Sequence, residues 1–234
     1  IEFMNKSRLL YESMNKNGLY ILTYIICVTI ISIQYGNSPS HMKNAMNGIM
    51  TIITAMYIGW MIHYLSHNIH YKRLYTRMSV RKYIKKKCRL LDWCLIRIFK
   101  MVDFHDHQHH DTTVNKRLIN VITEFVQNIV TVSVFFIITN NICNLNFNNH
   151  IILSYGIIYA ITHNILYFDG SSFSHTQHHM NKYTNYGLDF IDIIMGTKYD
   201  NTIELYNDHI LLVISVYASL YAILGVGRWM IVDV

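Results

Sequence analysis

LYILTYIICVTIISIQY, residues 19–35, runs without a charged side chain, and AMNGIMTIITAMYIGWMI at 45–62 does the same after a short polar break. Each has about the ~17–25 apolar residues that a helix needs to cross the hydrocarbon core of a bilayer. Three more such stretches follow: 118–139, whose one acidic residue is Glu124; 151–168, where His163 is the ionisable group of interest; and ILLVISVYASLYAILGVG at 210–227. A segment inside lipid must satisfy its own backbone, so these stretches are expected to be helices. The last either crosses or lies against the bundle or in the interface, since its length permits a crossing without requiring one.

Composition agrees. The 234 residues are 52% apolar and 15% charged, and the apolar residues come in unbroken blocks instead of alternating with charges along amphipathic helices. Pro39 is the one proline. No repeat, low-complexity linker or composition break divides the chain, so 1–234 reads as one domain. Residues 1–3 (IEF) precede Met4 and are set aside from fold reasoning. Cys27, Cys88, Cys94 and Cys143 form no CxxC pair and read as ordinary reduced thiols.

The basic residues predict orientation. Of the 20 lysines and arginines, most lie between Lys72 and Arg117, including the run RKYIKKKCR at 81–89, and Lys6, Arg8 and Lys16 add to the N-terminal segment. The loops at 36–44 and 140–150 hold only Lys43. The positive-inside rule then places the N-terminus and 63–117 in the cytosol, with two helical hairpins, 19–62 and 118–168. In a eukaryotic cell the expected membrane is the endoplasmic reticulum. The net charge of +6 reads as topology and attraction to anionic headgroups, not as nucleic-acid binding, because the basic run abuts the spans.

Fourteen histidines are present, and many of them cluster. HYLSH (63–67) follows the second span, FHDHQHHD (104–111) ends the basic segment, and HTQHH (175–179) follows the fourth span, with His163 near that span's end. The predicted topology, which made no use of histidines, puts all of them on one side of the membrane. His63 and His67 share a helical face, as do His175, His178 and His179. In the second cluster His105, His109 and His110 form one set and His107 with His110 another, and one helix cannot aim all four at one point. Imidazole suits zinc, copper, iron and nickel, and so many donors exceed one four-coordinate ion, which argues for two metals held close together. Lone surface histidines usually have no role, and His41, His70, His150 and His209 are read that way. Three clusters meeting at one membrane face are harder to explain structurally, because burying unsatisfied imidazoles costs stability.

HYLSH, FHDHQHH and HTQHH followed by NYGLDFIDIIMGTKYD (185–200) together resemble the fatty acid hydroxylase and sterol desaturase superfamily. The tail is the most specific part: Asn185, Tyr186, Gly187, Asp192, Gly196 and Thr197 stand where that family's signature has them. The resemblance covers roughly residues 45–200. It implies an all-α, multi-pass membrane domain of two transmembrane hairpins with a cytosolic helical cap carrying the histidine boxes. It also implies a di-iron centre that uses dioxygen to oxidise a lipid C–H bond. The metal ligands it implies are His63, His67, His105, His109, His110, His163, His175, His178 and His179, with His107 in reserve; Asn185, Gly187, Asp192, Gly196 and Thr197 would support them. Two departures stand out. The second box reads as HxxxHH from His105 or as a set starting at His107, where the family has HxxHH. His163 stands alone, with Tyr167 where a partner would be, which leaves one metal a water or a non-histidine ligand.

Neighbouring carboxylates, Asp106, Asp111, Asp189 and Asp192, either orient the rings through their second N–H or are solvated surface charges. Glu124, Gln127 and Asn128 share a helical face, pointing into the bundle as a substrate channel or as an interhelical hydrogen-bond group. Oxidation with dioxygen needs two electrons, and no GxGxxG follows a strand, so a separate reductase and carrier are expected. The basic face at 72–100 suits an acidic carrier such as a b-type cytochrome. The product is a hydroxyl or a double bond, and hydroxylation is the first choice. Zinc can take such a site in a purified preparation. The rivals are a membrane zinc hydrolase, for which no HExxH is present, and a metal transporter, which would line the middle of its spans with histidines.

Overall fold

The computed structural model describes residues 2–103, 118–169 and 173–204. All regular structure among them is helical: α1 (Glu2–Tyr35), α2 (His41–Asn68), α3 (Tyr71–Arg77), α4 (Ser79–Lys87), α5 (Arg89–Val102), α6 (Leu118–Ile129), α7 (Phe135–Cys143), α8 (Asn149–Asp169), α9 (Phe173–Met180) and α10 (Asp189–Met195). A single π turn, Val130–Val134, joins α6 to α7, so that 118–143 form one rod. Among the described residues, three stretches are long and apolar enough to cross a membrane: Lys6–Tyr35, His41–Asn68 and Val121–Cys143. Their most apolar windows are only 17%, 33% and 28% buried inside the protein. Leu22, Ile26 and Ile30 of α1, Met46, Met50 and Ile53 of α2, and Ile138 and Ile142 of α7 point outward. Such broad apolar faces suit lipid better than water. The stretch expected as a span at 151–168 forms the 21-residue helix α8, which is not one of those three. The second histidine cluster and the apolar stretch 210–227 lie outside the described residues.

One expectation needs correcting. The first helix begins at Glu2 rather than near residue 19, and its 34 residues reach about 51 Å at 1.5 Å per residue. A bilayer core takes about 30 Å of that length. The part of this helix before residue 19 is tied into the fold at Ser13 and Asn17, which are buried, and Asn17 Nδ2 donates to the Glu204 carbonyl at 2.9 Å. The second helix likewise outruns its expected bounds and carries HYLSH within its last turns.

The bundle closes through small residues. Val28 and Ile31 of α1, Ile52 and Ala55 of α2, Val132 and Phe136 of the rod, and Ile151 and Ile152 of α8 form one core. In lipid, helices associate by close packing rather than by escape from water. Gly48 of α2 sits against Ser32 of α1, and Gly156 of α8 against Ser133 of the π turn; a β-carbon on either glycine would overlap the serine hydroxyl. Ser133 Oγ then donates across the crossing to the Ile152 carbonyl at 2.8 Å. At the loop end of the bundle, Asn47 Nδ2 donates to the Asn146 carbonyl at 2.6 Å and Asn148 N–H to Thr51 Oγ1 at 3.1 Å. His63, His67 and His163 lie at the other end, late in α2 and α8.

Beyond α2, the chain folds back on itself. Asp103 accepts from the Tyr71 and Lys72 amides at 2.9 and 3.0 Å, placing a carboxylate on the first turn of α3. Asp92 of α5 accepts from Tyr75 Oη at 3.1 Å and Arg81 Nε at 3.0 Å. These contacts hold α3–α5 together while Lys85, Lys86 and Lys87 stay exposed.

Candidate metal centre

The helical spacing that puts His63 and His67 on one face brings their ring centroids to 5.0 Å. His178 of α9 arrives from the far end of the chain, 4.6 Å from the His63 ring and 4.8 Å from that of His67. One nitrogen of each lies within 4.8 Å of the others, and all three residues are buried. Burying three imidazoles is costly unless their nitrogens are engaged.

Two of those rings are held by backbone. His63 Nδ1 lies 2.8 Å from the Tyr186 carbonyl, and His178 Nδ1 lies 2.6 Å from the Thr184 carbonyl. A carbonyl only accepts, so Nδ1 carries the proton and Nε2 keeps its lone pair. That is the tautomer a metal ligand requires, fixed from outside the ligand shell.

The loop between α9 and α10 is shaped to present those carbonyls. Asn185 adopts a left-handed conformation, φ 52°, with its N–H bonded to the Thr197 carbonyl and its Oδ1 accepting from the Tyr199 amide, both at 2.9 Å. Asp192 is buried and accepts from Tyr186 N–H at 3.0 Å, Gly187 N–H at 2.9 Å, Thr197 Oγ1 and Trp60 Nε1, the last at 3.1 Å. Burial pushes the Asp192 carboxyl above its ordinary range, against the pull of those donors. Trp60 lies one turn before His63, so one carboxylate ties the loop to the helix bearing the first cluster. Gly187 packs on Trp60, where a β-carbon would lie 3.2 Å from Cδ1. Gly196, φ 73°, ends α10 and turns the Thr197 amide back to the Asp192 carbonyl. Asp189 is occupied by Lys198 Nζ at 2.7 Å and the Glu204 amide at 2.8 Å. Asp189 and Asp192 are therefore neither solvated charges nor the ring acceptors of His63 and His178. Backbone carbonyls take that role, and Asp192 acts one step behind them.

A second group adjoins the first. His163 Nε2 lies 3.2 Å from Glu124 Oε1, both side chains are buried, and the Tyr159 ring stacks on the imidazole at 5.6 Å. The His63 and His163 centroids are 6.3 Å apart. His179 is 6.2 Å from His178. Burial pushes its pKa down to about 4, the charges of His163 and His67 act the same way, and Glu124 opposes them. It is neutral near pH 7 and able to donate a lone pair.

A cleft of about 270 Å³ reaches His63 between α2, the rod and α8, lined by Gly59, Gln127, Asn128, Phe135 and Tyr159 among others, with Tyr71 and Phe99 also on its wall. Gln127 and Asn128 line this cleft, while Glu124, one turn earlier, faces His163. His105, His107, His109, His110, Asp106, Asp111 and His209 lie outside the described residues, and so does the His175 side chain, although its backbone is in α9. His41, His70 and His150 are exposed and outside the three-histidine group. The sequence reading missed Trp60, the Thr184 and Tyr186 carbonyls and the Glu124–His163 pair. Trp60 left a faint signal, a polar-edged aromatic one turn from HYLSH.

No protein-family model, curated protein or solved structure matches this chain, so the family likeness rests on its motifs alone.

Proposed function

We propose that the chain is a membrane-embedded oxygenase that holds two iron ions on its histidines and oxidises a C–H bond of a membrane lipid. Hydroxylation is the first expectation and desaturation the alternative. The observation that carries this reading is the meeting of His63, His67 and His178 in a buried group, with two Nδ1 atoms pinned to carbonyls. Such a donor set fits a transition metal: all three imidazoles are buried, and with Nδ1 held by a carbonyl, His63 and His178 would ligate through Nε2. Iron bound there supplies, with dioxygen, the oxidising power that an unactivated C–H bond requires.

The chain's own residues would do the rest. The cleft of about 270 Å³ beside His63 would receive part of the lipid, and Gln127, Asn128 and Thr131 line its wall. Tyr71 and Phe99 form part of the same wall. In this reading the N-terminus and the metal site face the cytosol, and the basic surface of α3–α5 receives an acidic carrier such as a b-type cytochrome, fed by its reductase. Each turnover takes one dioxygen, two electrons and two protons and releases water with either product.

Three imidazoles are also the ligand set of a catalytic zinc ion, which makes a membrane zinc hydrolase the second reading. One experiment separates the two. The purified chain is loaded with Fe(II), supplied with a cytochrome, its reductase and membrane lipids, and the lipids are analysed by mass spectrometry. Under the oxygenase reading the lipid gains one oxygen or loses two hydrogens, only with dioxygen and donor, and the His178→Ala variant yields neither product. Lipid cleavage with zinc and without a donor supports the hydrolase instead.

A further inference from the structure

We infer that Glu124 and His163 are ligands of a second metal ion beside the three-histidine centre. The inference rests on the metal-dependent reading above and supplies the non-histidine ligand that a lone His163 calls for.

The two side chains come from different helices, α6 and α8, and meet with 10% and 7% of their surface accessible. An ionisable pair at this depth is costly to bury and marks a functional position. The separation suits shared coordination. Two ligand atoms at about 2.0–2.2 Å from one ion, roughly 90–110° apart, lie about 3–3.5 Å from each other. Nε2 and Oε1 are 3.2 Å apart. Tyr159 stacks on the His163 ring within 9° of parallel and fixes its plane. His163 faces His63 edge-on at 6.3 Å, which puts the second ion next to the first, and His179 lies within electrostatic reach of both Glu124 and His163. One turn along, the buried Asn128 has an Nδ2 with no hydrogen-bond partner among the described residues, a donor available to a further ligand. The carboxylate also contributes negative charge, which neutral imidazoles cannot, against two divalent ions.

The test is metal stoichiometry. The full chain and its Glu124→Gln, Glu124→Asp, His163→Ala and His178→Ala variants are loaded with Fe(II) without oxygen, freed of loose metal and assayed for iron per chain. The parent is expected to hold two ions. Glu124→Gln and His163→Ala should each keep one, and that retained ion shows that the fold survives. Glu124→Asp, which keeps the carboxylate, should recover part of the second. If Glu124→Gln keeps two ions while His163→Ala keeps one, Glu124 only positions His163 and the inference fails. If the parent holds a single ion, lost in His178→Ala and kept in Glu124→Gln, the inference fails and the three-histidine centre stands. A parent that binds no metal at all removes the proposed function, and the inference with it.

Discussion

His63 Nδ1 lies 2.8 Å from the carbonyl oxygen of Tyr186, so the first histidine cluster is aimed by a residue 123 positions further along the chain. The same loop aims His178 through Thr184. Metal affinity should therefore depend on whatever holds that loop, as well as on the imidazoles.

Asp192 is the test of that dependence. Asp192→Ala removes the acceptor of Tyr186, Gly187 and Thr197 and leaves Trp60 Nε1 only Thr197 Oγ1 at 3.3 Å; a donor buried without an acceptor costs about 1–3 kcal/mol. Competition with a chelator should show metal affinity lowered about 10–100-fold, the usual effect of losing an outer-shell partner. His150→Ala, an exposed position, should bind as the parent does.

The helix crossing at Gly156 gives a packing prediction. Gly156→Ala forces a methyl group into Ser133 and should cost about 1–3 kcal/mol, seen as a lower unfolding midpoint in detergent. Ser133→Gly in the same chain makes room and should return most of the loss. Gly18→Ala, with open space around it, should be neutral or slightly stabilising. Equal effects at Gly156 and Gly18 would mean that the crossing is looser than described.

Cys88 and Cys143 report sidedness. Both are exposed, one among the basic helices and the other at the end of α7, beside the loops at the opposite end of the bundle. In sealed vesicles an impermeant thiol reagent should reach single-cysteine variants at these positions from opposite faces, Cys88 from the cytosolic one. Labelling of both from the same face would contradict a bundle that crosses the membrane.

Asp92 predicts a pH effect confined to α3–α5. Burial favours its neutral form, but the bonds from Arg81 and Tyr75 and the charges of Arg81 and Lys85 outweigh this and hold its carboxyl below the ordinary range. A carboxylate whose folded pKa is depressed stabilises the fold above its unfolded pKa, about 3.9, and loses that contribution as pH falls through the folded value. The difference in melting temperature between the parent and Asp92→Asn should be full at pH 7 and should close below about pH 4. A difference that persists unchanged at pH 2 would assign the effect to packing.

The apolar blocks were enough to locate the three described helices of spanning length, because a backbone in lipid has few alternatives to helix. His63 and His67 could be paired from spacing alone, since four residues make about one helical turn. The start of α1 was hidden because the residues before 19 are mostly polar; Ser13 and Asn17 are nonetheless buried, and Asn17 bonds to Glu204, a contact remote in sequence. That Glu124 and Asn128 point inward was visible in the helical period, whereas the partner of each depends on how the rod rotates against α8.

By itself, then, the sequence determined the helices, their apolar lengths and the donor types available for a metal. Tertiary structure alone decided which donors meet, that Asp192 braces a loop instead of a ring, and that carbonyls of Thr184 and Tyr186 set the tautomers of His178 and His63. The physical reason is that periodicity and hydropathy are local, while a metal centre is assembled from helices whose packing is not. Every residue carries the same carbonyl, so nothing in the residue type at 184 or 186 announces the role.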